Sequence, residues 1–458
     1  MNEQGSRFVF LPMETKNREF HGKLLLSCVA AEAGFRAILC EQQELRRLVH
    51  RFPPGIYVDK SVVASKAGLF RDLRRMGHRV VAWCEEGLVY RNRDMYLRQR
   101  IAPETFEYVD RFFTWGSAQA ADVATKIPEA PLKTLATGNP RFDLLRKPFR
   151  TLYETEAERL HRQHGSFVLI NTNFSRYNHF YSPEYQLQRW KKRGRIRTPE
   201  DEQFFWDWSG YIGKLFHSFV DMTRELSQRL PDVTIVVRPH PSENHDRWKE
   251  AVAGPANVMV CHEGPVIPWI MASRALVHNS CTTGVEAFLL GRPVVAYMPV
   301  TSSTFDDRVP NGVSLKVTSV DELATVLRCI VDTGAEPEAA DLAARRALAG
   351  EYVANMDGEF ACDRIVAELL RVSDLPGLES GGAGSRLRLA VSLWWRRLRR
   401  AVRRSRSHSK QKFPGLTLQE VEEAVAAFRR VSNRFAGVTA IPVPGMQNGF
   451  QLTQKGNS

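Results

Sequence analysis

The stretch ALVHNSCTTGVEAFLLGRPVVAY, Ala275 to Tyr297, decides the fold. Ala275 to His278 is a short apolar run of the kind that forms a buried strand. A helical segment then runs to Leu290, and Pro293 to Tyr297 is a second strand-like run. Strand, helix and strand in close succession make a βαβ unit, whose strands lie parallel in one sheet. The same rhythm precedes it. Ser166 to Ile170 and Val233 to Arg238 read as strands, and Gly210 to Leu230 reads as a helix with Ile212, Phe216, Phe219 and Leu226 along one side.

Nearer the N-terminus the alternation occurs a first time. Arg7 to Leu11 reads as a strand, His21 to Glu32 as a helix ended by Gly34, and Phe35 to Cys40, His78 to Cys84 and Asp110 to Trp115 as further strands. Two such halves, split near residues 147 to 163, predict an α/β chain of two Rossmann-like domains, their parallel sheets facing a cleft. The expected domains span 1–150 and 151–372, followed by a Gly/Ser-rich flexible linker at 373–384. A basic segment fills 385–412. Residues 413–458 are expected to hold one helix, Thr417 to Arg430 with a capping box at Thr417 and Glu420, and then a loose tail. Ser175 to Ser209 is an aromatic and basic insertion, open to two readings: an acceptor-binding flap or a packed surface excursion.

Composition narrows the function classes. At 43% apolar the chain can bury sizeable cores, which excludes global disorder. No stretch approaches the roughly 18 to 20 unbroken apolar residues of a membrane span, and the N-terminus lacks a secretory pattern. The seven cysteines are scattered, without Cys-x-x-Cys pairs, so neither structural zinc nor a disulfide framework is expected, and a cytoplasmic location follows. Of the net charge of +13, the segment Ser385 to Lys412 supplies 11 through nine Arg and two Lys with no acid, which leaves +2 for the rest. Basicity is therefore local and does not by itself indicate a nucleic-acid-binding body.

Three loops that follow strands could carry chemistry. Glu85-Glu86-Gly87 comes directly after His78 to Cys84; paired carboxylates raise one another's proton affinity, which suits a general base, although acidic pairs at strand ends also occur as solvated turns. Arg238-Pro239-His240-Pro241 follows Val233 to Arg238, and its prolines fix the backbone about His240. That imidazole is placed either to contact a phosphate oxygen or to brace a rigid turn. Asn279, Ser280, Thr282, Thr283 and Gly284 lead into a helix whose free N–H groups, with those hydroxyls, would cradle an anion. Ordinary N-capping is the plainer reading. Glu286, one turn in, would accept from ribose hydroxyls or simply favour a helix start. Asn139 and Arg141, in Thr137 to Asp143, and Asn171 and Asn173 are further candidates for lining the cleft; the first two equally suit a Gly/Pro hinge turn. There is no Gly-x-Gly-x-x-Gly fingerprint, P-loop or Asp-x-Asp motif, so no metal site and no cofactor is expected.

The order and spacing of these loops resemble the bacterial sialyltransferase and Kdo-transferase families of GT-B fold. More closely, Lys16 to Leu26, Pro53 to Ser61, Glu85 to Leu88, Thr137 to Leu145, Arg238 to Glu243, Asn279 to Tyr297 and Gly358 to Ile365 look like the family of surface carbohydrate biosynthesis proteins. The resemblance covers roughly residues 7 to 371. It implies a glycosyltransferase that passes an ulosonic acid (Kdo or sialic-acid-like) from a CMP-sugar, its donor substrate, to a glycan or lipid-linked acceptor in bacterial surface polysaccharide synthesis. By it, Glu85 is the general base with Glu86 beside it, His240 contacts the CMP phosphate, and Ser280 with Thr282 or Thr283 contacts the phosphate or the sugar carboxylate. A UDP-sugar-dependent transferase, a 2-epimerase-like enzyme of the same architecture and a non-catalytic assembly scaffold are the competing readings.

Arg386 to Arg404 interleaves arginines with Leu387, Leu389, Val391, Leu393, Trp394, Trp395, Leu398 and Val402. A helix there would have a Trp-rich side and a cationic side, which suits an anionic membrane surface better than nucleic acid or bare solvent. Peripheral attachment to the cytoplasmic face of the bacterial inner membrane is the corresponding expectation.

Overall fold

A computed structural model describes residues 7–90, 92–192, 194–337, 341–376 and 413–456. The chain forms two compact units, one of Met1–Leu152 with Gly350–Ser458 and the other of Tyr153–Ala349.

In the first unit β1 (Arg7–Met13), β2 (Phe35–Glu41), β3 (Ile56–Asp59), β4 (Arg79–Trp83), β5 (Arg111–Thr114) and β6 (Thr134–Ala136) run parallel. The apolar runs of β1 to β5 are buried almost end to end, as strands covered by helices on both faces must be, whereas β6 leaves Leu135 exposed. The sheet order is β2-β1-β3-β4-β5-β6, so the order reverses at β1 and β3. The second unit has β7 (Phe167–Asn171), β8 (Thr234–Arg238), β9 (Val258–Val260), β10 (Ala275–His278), β11 (Val294–Tyr297) and β12 (Leu315–Val317) in the order β12-β11-β10-β7-β8-β9, all parallel. Its order reverses at β7 and β10. In sheets of this kind the crevice for a ligand opens beyond the carboxyl ends of the strands at the reversal.

The helices that matter below are α1 (Lys16–Glu32), α2 (Pro199–Arg229), α3 (Thr282–Leu289), α4 (Ala361–Ser373) and α5 (Leu418–Ser432). The insertion at 175–209 is partly helical. It contains Pro183–Lys192 and the first turns of α2, started by a capping box between Thr198 and Asp201. Arg176 lies 4.1 Å from the Trp190 ring and 4.2 Å from the Trp208 ring, which fastens both helices to the preceding loop.

Two expectations about organisation change. The second Rossmann-like unit ends at Ala349, because the segment from Gly350 packs with the first unit: α4 buries Ile365, Val366, Leu369 and Val372, and both oxygens of Asp143 cap its first turn at Ala361 N (2.9 Å) and Cys362 N (2.8 Å). The C-terminal tail is not loose. After α5, whose capping box at Thr417 and Glu420 forms as expected, β13 (Val438–Pro442) and β14 (Gly449–Gln454) make an antiparallel hairpin, and β14 pairs antiparallel with β2. The first sheet is therefore mixed. Glu44 accepts from Gln447 N and Asn448 N, and Arg434 bridges Glu32 and Asp363, both at 2.9 Å, so charged groups sew the segment down. Of the expected linker, Ser373 ends α4, Asp374 pairs with Arg7, and the Pro376 carbonyl accepts from Arg79; residues 377–384 and the basic segment 385–412 lie outside the described residues. Among the described residues no helix is long and apolar enough to cross a membrane.

Candidate functional site

In the first unit the polar residues gather at the carboxyl ends of β1, β3 and β4. Glu85 lies two residues beyond β4 and is buried. The Trp83 indole donates to Glu85 Oε1 at 2.7 Å, while Oε2 has no hydrogen-bond partner among the described residues. The turn is held from outside by Arg18, which donates to the Glu85 carbonyl at 3.0 Å and to the Glu86 carboxylate at 2.9 Å. Burial pushes the Glu86 carboxyl up, but Arg18 and Arg100 outweigh it and hold it below its ordinary value. Gly87 is required by space, since a Cβ there would stand 2.0 Å from Gln119 Nε2.

Beside this turn lies a charged network that sequence reasoning missed. Glu19 is fully buried, accepts from Lys23 at 2.7 Å, from Lys60 at 3.3 Å and from the Thr15 N–H, and is brought down to about 2: burial opposes that shift, and the lysines win. Lys60 also pairs with Glu14 at 2.7 Å, and its carbonyl accepts the Glu85 N–H. Burial would lower Lys60, yet Glu19 and Glu14 raise it. These residues stand where the order of the first sheet reverses, but their partnership depends on three separate segments and leaves no local pattern.

In the second unit β7, β8 and β10 present their loops side by side. Arg238 is buried and donates to the carbonyls of Glu263 (2.8 Å) and Gly264 (2.6 Å) over the Trp269 ring; burial lowers it to about 10. It serves as a brace for the His240 loop. His240 is exposed, and its Nδ1 receives the Ser242 N–H at 3.2 Å, so a neutral ring carries its proton on Nε2. The loop is organised by Glu243, fully buried, which accepts from Thr172 Oγ1 (2.7 Å), Phe174 N (3.0 Å), His240 N (3.2 Å) and Trp248 Nε1 (2.8 Å). In the sequence Glu243 stands only as the end of a motif; an acid two residues after the Pro239-His240-Pro241 turn was the available signal.

The β10 loop is equally built. Ser280 has φ +50°, a left-handed conformation rare for a side chain with a Cβ. Its N–H donates to Asn311 Oδ1 at 2.7 Å, and its Oγ accepts from Asp307 N and Asn311 Nδ2, both at 3.0 Å. Ser280 therefore fixes the turn, and its own hydroxyl hydrogen remains to be donated. Thr282 starts α3, and Thr283 Oγ1 donates to Cys281 Sγ at 3.0 Å. A Cβ on Gly284 would meet His278 Nε2 at 2.3 Å, which is why α3 begins so close to β10. Glu286 is buried on α3. Asn279 donates to the Tyr297 carbonyl at 2.9 Å and Asn173 to the Ser280 carbonyl at 3.4 Å; Asn171 ends β7. The Oδ1 atoms of Asn171 and Asn279 are buried with no partner among the described residues.

Asn139 and Arg141 lie in the first unit. Asn139 caps the short helix at Pro140, exchanging further hydrogen bonds with Asn355, and Arg141 lies 6.0 Å from the Trp115 ring. Gly138 (φ +80°) has Asn355 against its open side, so this motif works as a clamp on the returning chain. Among the described residues no three His, Cys, Asp or Glu side chains gather as a metal site.

No protein-family model matches the chain, and no curated protein does. Solved structures do. UDP-GlcNAc 2-epimerase from Methanocaldococcus jannaschii, solved with UDP-GlcNAc and UDP, is 13% identical with a TM-score of 0.50, over 80% of this chain and 100% of that one. A Listeria monocytogenes protein provisionally named a UDP-N-acetylglucosamine 2-epimerase is also 13% identical at 0.50, over 82% and 99%. The wall teichoic acid polymerase TagF is 11% identical at 0.47, over 80% and 88%. At these identities the likeness shows the fold alone: α/β, two Rossmann-like units of the GT-B type.

Proposed function

We propose that the chain is a glycosyltransferase of bacterial surface polysaccharide synthesis that transfers an ulosonic acid from a CMP-sugar to a glycan or lipid-linked acceptor. The observation that carries this reading is Glu85: a buried carboxylate beyond a parallel strand, with one oxygen fixed by Trp83 and the other without a donor among the described residues. A carboxylate so held suits removal of a proton from an acceptor hydroxyl. The hydroxyl oxygen then bonds to the anomeric carbon as the bond from that carbon to the phosphate breaks, and CMP leaves with the electron pair. His240 Nε2–H, the Ser280 hydroxyl and the first N–H groups of α3 are donors of the kind that offset one phosphate's charge. Attachment to an anionic membrane surface through 385–412 belongs to the same reading and rests on composition.

Calorimetric titration of CMP, a CMP-sialic acid, UDP and UDP-GlcNAc into the full chain tests the donor. The cytidine ligands are expected to bind, and His240→Ala to weaken them about tenfold, the worth of one charge-assisted contact. Binding of UDP-GlcNAc with no response to either cytidine compound would replace this reading by the UDP-sugar one.

A further inference from the structure

In the second unit a row of rings leads away from the His240 loop. The His245 Nε2 lies 3.1 Å from the His240 carbonyl, and His262 Nδ1 lies 2.8 Å from that of Pro239. The His262 and His245 centroids are 5.1 Å apart, and Phe180 follows at 6.0 Å from His245. His179 comes next at 6.3 Å, stacks on Tyr181 at 5.3 Å, and Tyr181 is 4.7 Å from Tyr185. Phe180, Tyr181 and Tyr185 are 60%, 44% and 53% exposed, whereas Phe216, Phe219 and Trp248 on neighbouring elements are buried. Three large rings left in water side by side forgo burial energy that the fold takes elsewhere, which marks a binding surface.

The character of the row selects its occupant. It is made of flat aromatic and imidazole faces; the one large aliphatic side chain as exposed among the described residues of this unit is Leu342, on another helix. A buried lipid tail or an apolar peptide would call for aliphatic side chains. Faces spaced by about one sugar ring suit the C–H faces of successive pyranoses, which stack on aromatic rings while their hydroxyls stay wet. Charge adds a sign. Tyr185, Arg189 and Lys192 fall at helical spacing on one face of Pro183–Lys192, and neither Arg189 nor Lys192 has a carboxylate partner among the described residues.

We infer that this row binds an extended, negatively charged glycan, the growing polysaccharide that accepts the sugar. The inference rests on the glycosyltransferase reading and gives the insertion at 175–209 its purpose. Single-stranded nucleic acid would meet the same rings and charges, so it enters the test as a competitor.

Calorimetry on the full chain with an α-2,8-linked sialic acid hexamer, a hyaluronan hexamer, maltohexaose and a thymidine hexanucleotide tests it. At least one acidic hexamer is expected to bind at least about tenfold more tightly than maltohexaose, and Tyr181→Ala with Tyr185→Ala to weaken it about tenfold, the worth of two stacked rings. Arg189→Gln with Lys192→Gln should remove the preference for acidic over neutral glycan. All four side chains are surface-placed, so Tm and CMP affinity should stay as in the wild type. The inference is overturned if neither acidic hexamer outbinds maltohexaose, if the tyrosine variant binds as the wild type does, or if the nucleotide oligomer binds best. Glycan binding without CMP binding would sink the donor reading alone; CMP binding without glycan binding would sink this one alone.

Discussion

Among single residues, Glu85 makes the sharpest prediction. Glu85→Gln keeps the Trp83 contact and removes the base, so kcat should fall about 10²- to 10⁴-fold with donor KM unchanged, read by steady-state CMP release. Glu86 is kept ionised by Arg18 and Arg100 and is exposed, so Glu86→Gln should cost less than about tenfold in the same assay. Glu85 was legible because it directly follows an apolar strand. Glu243 and Lys60 were not, because a buried carboxylate that gathers Thr172, Phe174 and Trp248 has no signature until the chain has folded. A pH dependence follows from His278, fully buried and held at about 3 by burial against an unfolded value of about 6.5. The folded state binds fewer protons in that window, so the contribution to stability is present above pH 6.5 and is lost as pH falls toward 3. Urea midpoints for the second unit should therefore decline below pH 6.5, with a flatter decline in His278→Gln; an unchanged slope would contradict the assignment.

Among elements, eight of the twelve parallel strands described were readable from their apolar runs, and several of their ends carry the motif residues. Strand β3, Ile56 to Asp59, was not read as a strand, since it follows the turn residues Pro53-Pro54-Gly55 directly and ends in a carboxylate, which leaves only three apolar positions as its signal. The helices of the insertion at 175–209 went unread because its aromatic and basic residues mask helical spacing, although the Thr198 and Asp201 capping box was there to be seen. The link between Asp143 and α4 spans more than two hundred residues and is invisible locally. Asp143→Ala leaves the Ala361 and Cys362 N–H groups unpaired and should cost about 1 to 3 kcal/mol in chemical denaturation of the first unit.

Taken as one chain, the protein returns to its first sheet after residue 413, which composition could not announce: the hairpin of β13 and β14 is held by pairing to β2 and by Glu44 and Glu32, residues just over four hundred positions away. Truncation before residue 413 exposes the β2 edge and orphans those carboxylates, so it should yield aggregated protein, scored by sedimentation, rather than a trimmed soluble form. Deleting 385–412 instead should leave nucleotide binding intact and abolish salt-sensitive flotation with anionic vesicles; flotation that persists would remove the membrane claim. CMP release from a panel of CMP-sugars of Kdo, sialic, pseudaminic and legionaminic type tests the proposed transfer most directly. Release is expected from at least one donor, rising on addition of an acidic glycan acceptor and collapsing in Glu85→Gln; no release from any of them, together with acceptor-independent conversion of UDP-GlcNAc, would contradict the proposed reaction.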